Sequence, residues 1–198
     1  MIIIGLSGQS GAGKTTALEV LKGYGAVVCD SDLVSRKVMA KDTPCTKELI
    51  EVFGGEIAYD GEINRRKLGE IVFFDKKKLE KLTEITHRYI KESIFSSIDS
   101  ARASDERFFV IDAPLLFESG LDAFCDVTLA VVAERETRIK RIMCRDGITR
   151  ELAEKRLDAQ LSEEELKKLA DEVIENNSNA EDFIEKVKNF AERKGMVK

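Results

Sequence analysis

Gly8-Gln9-Ser10-Gly11-Ala12-Gly13-Lys14-Thr15 is the stretch whose residue types and spacing point most directly to chemistry. It fits Gly-x-x-x-x-Gly-Lys-Ser/Thr and sits between an apolar run and helix-forming residues, the context that pattern requires. Glycines let the backbone bend until several N–H groups point inward at phosphate oxygens. The following helix adds its positive N-terminal end. Lys14 has the reach for β- and γ-phosphates, and the Thr15 hydroxyl can ligate Mg²⁺. The bland alternative is a glycine-rich turn before a helix. The order strand, motif, helix favours a P-loop.

Other candidates are less specific. Asp30-Ser31-Asp32 follows a short apolar run, and strand ends on the P-loop side of a doubly wound sheet line the ligand crevice. Two carboxylates there could take a proton from an acceptor hydroxyl or hold Mg²⁺ through water. Equally, Asp30 or Ser31 could cap the next helix. Asp112 ends another apolar run, where a metal-holding carboxylate belongs, or simply opens the turn into Pro114. Arg141 and Arg145 stand at i, i+4 on one helix face and could span phosphate oxygens. Gln160, four residues after Arg156, could join them.

Composition removes whole classes of function. The chain has 198 residues, a formal net charge of −5 and 13 Gly with 2 Pro. That is one domain, or one domain with an insert, and not a low-complexity chain. No apolar run approaches ~20 residues, so no membrane span is expected. The start lacks a basic region before its apolar stretch, so no signal peptide is expected. The overall charge gives no reason to expect nucleic-acid binding. Cys29, Cys45, Cys125 and Cys144 form no Cys-x-x-Cys pair and read as reduced, mostly buried thiols of a cytoplasmic protein. With a single histidine, His87, sites built on two imidazoles are excluded, so any metal should be held by oxygen. His87 itself either contacts substrate or is a partly buried residue with a structural hydrogen bond.

Five short apolar runs read as strands: Met1 to Ser7, Ala26 to Cys29, Phe108 to Asp112, Val127 to Val132, and 171–174. Helices are expected over 14–21, 33–39, 135–144, from Thr149 with only half a capping box, and over 180–193. Residues 45–103 show no convincing strand and read as several helices, with nine basic and four acidic residues between Arg65 and Lys91. Strands alternating with helices predict an α/β fold, a mainly parallel five-stranded sheet covered on both faces, with a helical insert. The P-loop then belongs to a switch, a motor or a small-molecule kinase. The guanine-reading Asn-Lys-x-Asp of a GTPase switch does not occur, the chain is short for a motor, and a kinase for a small acceptor fits.

The P-loop, Asp30-Ser31-Asp32 and Asp112-Ala113-Pro114-Leu115-Leu116-Phe117-Glu118 together resemble the dephospho-CoA kinase family. So do 141–146 and Ile174-Glu175-Asn176-Asn177, and the resemblance runs in order from Ile3 to about Phe190. It implies a three-layer P-loop NTPase fold of the nucleoside-monophosphate-kinase type. Residues 1–44 and 105–198 would form the nucleotide-binding core, 45–104 the acceptor-binding insert, and about 145–165 a lid. It implies ATP-dependent phosphorylation of the 3′-hydroxyl of dephospho-CoA with Mg²⁺, the last step of coenzyme A synthesis. Asp32 would be the general base with Asp30 in support, and Lys14 and Arg141 would also be catalytic. Gly11, Ala12, Gly13, Lys14, Thr15, Thr16, Arg145, Asn176 and Asn177 would bind ATP, with Thr15 and Asp112 serving the metal. Asp32, His87, Leu115, Leu116 and Phe117 would serve the acceptor. The runner-up is a kinase for another small hydroxyl compound, such as a nucleoside or a shikimate-like acceptor; a regulatory switch ranks below it. Two departures stand out. Ser7 to Thr15 replaces the family's usual Gly-Gly-Ile-Gly-Ser-Gly-Lys-Ser, and His87-Arg88 replaces its His-Pro.

Overall fold

A computed structural model describes residues 1–197. Its central sheet has the order β2-β5-β1-β6-β7. The strands are β1 (Ile2–Gly8), β2 (Val27–Asp30), β5 (Phe108–Asp112), β6 (Val127–Val132) and β7 (Glu172–Glu175). β1 lies parallel to β5 and to β6, and β6 parallel to β7, so the sheet is mainly parallel as the alternating pattern predicts. In register, Ile4 faces Val110 and Val127, and Leu6 faces Leu129.

Period-two alternation assigns the two faces of β1. Ile4 and Leu6 join Val110, Leu129 and Val131 in a core covered by helices α1 (Lys14–Gly23) and α9 (Ala180–Arg193), through Leu18, Leu21, Phe183, Val187 and Phe190. On β6 the alternate residues Ala130 and Val132 pack against Phe117 and against Leu166 of α8 (Glu163–Leu169). Both faces are covered, so near-continuous apolar strands pay off.

The chain divides into two compact units. One comprises Met1–Val28 and Ala101 to the C-terminus; the other is Cys29–Ser100. The second holds α2 (Ser31–Val38), α3 (Pro44–Phe53), α4 (Arg65–Val72) and most of α5 (Lys76–Ala103). Cys45, Leu49, Phe53, Ile57, Leu68, Val72 and Ile85 form its own core. One expectation needs correcting: this stretch is not strand-free. β3 (Ala58–Tyr59) and β4 (Glu62–Ile63) pair antiparallel around Asp60-Gly61. Two-residue strands leave no periodicity for a sequence to display.

α5 runs unbroken through 28 residues, including position 88. A proline there would remove a helical hydrogen bond, whereas Arg88 continues the helix and pairs with Glu48 of α3. Tyr89 donates to the same carboxylate at 2.8 Å.

Candidate active site

The P-loop follows β1 and ends in α1, whose N-cap Gly13 offers no side-chain cap. α2, α3, α4, α8 and α9 each begin with a side chain accepting first-turn N–H groups. The first-turn N–H groups of α1 are thus left for another acceptor, and no acidic residue opposes an anion there.

Two glycines are required by geometry. Gly11 has φ +77 and a Cβ would lie 2.9 Å from the Arg138 carbonyl oxygen. Gly13 has φ +107, with the Asn176 amide and Phe183 closing on the place a Cβ would occupy. The loop's carbonyls are held from outside. Arg141 donates to Gly11 O at 3.1 Å and to Asn176 O at 3.2 Å, and Asn176 donates to Ala12 O at 2.7 Å. With carbonyls bound outward, the N–H groups are free to converge on a phosphate.

Gly8, Gln9, Ser10, Gly11, Gly13, Lys14, Thr15, Pro114, Arg141, Arg145 and Gln160 line one cavity of about 380 Å³. The structure therefore brings together the P-loop, both predicted arginines and Gln160. Lys14 forms an ion pair with the buried Asp112 at the end of β5. Arg145 pairs with Asp146 at 2.7 Å, which holds its guanidinium charge more firmly. Thr15 and Thr16 are exposed on the first turn of α1, and Ala12 is buried beneath the loop.

The residues present fit a Mg²⁺ ion. A hydroxyl at Thr15 and a carboxylate at Asp112 are hard oxygen donors, and Mg²⁺ takes one or two protein oxygens plus substrate phosphates. No group of three or more His, Cys, Asp or Glu side chains placed to hold a metal ion exists among the described residues.

With this cradle in place, comparison with known proteins decides the family. A family model described as dephospho-CoA kinase matches residues 2–182. The chain belongs to the dephospho-CoA kinase family. It is 43% identical to the dephospho-CoA kinase of Fusobacterium nucleatum over 193 residues, covering 97% of this chain and 98% of that one. A solved structure from Thermus thermophilus has 31% identity and TM-score 0.79, covering 98% and 97% of the two chains. The dephospho-CoA kinase of Campylobacter jejuni has 28% identity and TM-score 0.70, with 98% of each chain covered.

The remaining expected residues of this family member occupy distinct environments. In the second unit, Asp30 caps α2, its Oδ1 accepting from Asp32 N at 2.9 Å and Leu33 N at 3.0 Å. The capping alternative is realised, and it fixes the backbone of Asp32. Asp32 itself is exposed and lines a cavity of about 350 Å³ with Arg36, Met39, Arg65, Leu68 and Phe73. Arg36 and Arg65 make no ion pair among the described residues; the sequence marks Arg65 only as the first cation of the basic 65–91 stretch, a candidate platform for the CoA-side phosphates, and does not mark Arg36. Nothing in their spacing distinguishes them from other exposed cations. His87 is partly buried on α5. Burial, with Lys91 nearby, pushes its pKa down.

In the first unit, Asn176 is buried and braces the P-loop, while Asn177 accepts from Glu134 N at 2.8 Å. Leu116 is fully buried beside Gly5, Leu115 is 57% exposed, and Phe117 packs toward Leu166. Cys29 and Cys45 are buried, but Cys144 is exposed. No helix among the described residues is long and apolar enough to cross a membrane.

Proposed function

We propose that this chain transfers the γ-phosphoryl group of ATP to the 3′-hydroxyl of dephospho-CoA, giving coenzyme A and ADP in the last step of coenzyme A synthesis. One observation carries the reading beyond family membership: a braced P-loop whose cavity adds Lys14, Thr15, Arg141 and Arg145. Phosphoryl transfer needs little covalent help from protein groups, and positioning plus electrostatic stabilisation supply most of the catalysis.

Lys14 would exchange its Asp112 partner for the β- and γ-phosphates, and the released carboxylate, with Thr15, would hold Mg²⁺. When bound, that ion neutralises charge developing on the transferring group. Arg141 and Arg145 would meet the remaining phosphate charge. Residues 145–165 would act as a lid that excludes water as a competing acceptor. Residues 1–44 and 105–198 would form the nucleotide core, and 45–104 the acceptor insert.

Asp32 would take the proton of the acceptor hydroxyl, with Asp30 supporting it through the cap it provides. Arg36 and Arg65, beside Asp32, suit the pyrophosphate of dephospho-CoA, and Met39, Leu68 and Phe73 suit its less polar parts. His87, Leu115, Leu116 and Phe117 are further acceptor-side candidates. Asn177 and Asn176 would bound the adenine. We assign the protein to the cytoplasm, where a free exposed thiol such as Cys144 persists.

A coupled ADP-release assay across acceptors tests the reading. Turnover should require dephospho-CoA; turnover with uridine or shikimate alone would refute it. Asp32→Asn should lower kcat by about 10²–10⁴. A kcat within about tenfold of the parent would remove Asp32 from the role of base.

A further inference from the structure

Gln160 stands at the joint between α7 (Arg150–Asp158) and α8, where its N–H donates to Leu157 O at 3.1 Å. Its side chain grips the P-loop with both ends of the amide. Oε1 accepts from Ser10 N–H at 3.0 Å, and Nε2 donates to Ser10 Oγ at 3.2 Å. The neighbouring residues repeat the tie: Gln9 Nε2 donates to Leu161 O at 2.8 Å. Three hydrogen bonds thus join residues 9–10 to 160–161, across 150 residues of sequence.

The chemistry of this contact suits a phosphate site. Gln160 lines the same cavity as Lys14, Thr15, Arg141 and Arg145. A neutral amide supplies one acceptor and a donor group without charge. A carboxylate there would repel phosphate, and an ammonium would compete with Lys14 for it. The loop is therefore braced twice: Arg141 and Asn176 hold the carbonyls of Gly11 and Ala12, while Gln160 holds the amide and hydroxyl of Ser10.

We propose that Gln160 is a positioning residue for phosphoryl transfer, fixing the Ser10 end of the P-loop and tying the α7–α8 joint to the phosphate cradle. This rests on the kinase reading above. ATP affinity is carried by Lys14 and the amides at the start of α1, so loss of Gln160 degrades the alignment of transfer more than nucleotide binding. In-line transfer is sensitive to small misplacements of this kind.

Steady-state kinetics with ATP and dephospho-CoA, together with thermal midpoints, test it. Gln160→Met should lower kcat by about tenfold, the size of one well-placed hydrogen bond. The KM for ATP should stay within about twofold, the signature of an interaction felt mainly in the transition state. Ser10→Ala, which removes only the hydroxyl contact, should cost about threefold in kcat. The double variant should be no slower than Gln160→Met alone, because residues in contact are not additive. Gln160→Asn, polar but too short to reach Ser10, should reproduce the loss. Parent-like kcat in either Gln160 variant overturns the proposal, as does a KM that rises in step with the fall in kcat. Multiplying losses in the double variant overturn it too. If the unsubstituted chain releases no ADP with dephospho-CoA, the kinase reading itself fails; if it turns over normally and Gln160→Met does too, only the role of Gln160 falls.

Discussion

Asn176 offers a sharp test of how the phosphate cradle is built, because its side chain is only 7% exposed yet bonds across to the P-loop. Its Nδ2 donates to Ala12 O at 2.7 Å, and its Oδ1 accepts from Arg141 at 3.4 Å. Leucine has nearly the same size but neither donor nor acceptor. Asn176→Leu therefore deletes one strong hydrogen bond and one long one, and leaves the Ala12 carbonyl without its partner. A lost neutral bond costs about 1 kcal/mol and an unsatisfied buried group about 1–3 kcal/mol. Together they predict a stability loss of about 2–4 kcal/mol in urea denaturation followed by circular dichroism. The freed loop should also raise the KM for ATP by about tenfold, equivalent to about 1.4 kcal/mol of binding. If Asn176 only bordered the adenine, KM would rise with no change in stability. A variant within about 0.5 kcal/mol of the parent, the range of an ordinary surface substitution, would refute the brace.

Three further outcomes follow from the same structure. Gly5→Ala would place a Cβ 2.6 Å from Cys125 Sγ and 2.9 Å from Leu116 Cδ2, an overpacking cost of about 1–3 kcal/mol. Cys125→Ala should recover part of that loss, and no recovery would contradict the packing geometry. The Thr128 hydroxyl and amide hold the Asp171 carboxyl below its usual pKa, accepted by Oδ2 at 2.7 and 2.8 Å. A lowered folded pKa gives stability that is complete above the usual Asp value of about 3.9 and fades as pH falls through the folded value. The urea stability of Asp171→Asn should thus trail the parent at pH 7 and converge with it in strong acid; a gap independent of pH would contradict this. Burial pushes the Cys125 thiol up to about 12 and the Cys45 thiol up to about 11, while Cys144 is exposed. Ellman titration at pH 8 should find one fast thiol and three that react only on unfolding; two fast thiols would contradict the burial.

Much of this was legible from residues alone, for identifiable reasons. Five short apolar runs carry the whole central sheet, and three of them close on glycine or aspartate, at Gly8, Asp30 and Asp112. The P-loop announces itself because only glycine accepts the positive φ of positions 11 and 13. The hairpin at 58–63 escaped notice because its strands have two residues each. α8 also escaped, having Leu166 as its one buried residue, although Ser162 and Glu165 form a full capping box that could have revealed it. The bond by which Asn176 braces the P-loop has no signature in the sequence, since contacts 164 residues apart leave no local pattern. The same holds for Gln160 and Ser10.

The most direct measurement is the identity of the product when purified chain, ATP, Mg²⁺ and dephospho-CoA are incubated together. Mass spectrometry and ³¹P NMR should show one new phosphomonoester, on the ribose 3′-oxygen, formed in equal amount with ADP. ADP released without any phosphorylated dephospho-CoA, or a phosphate at another position, would contradict the account.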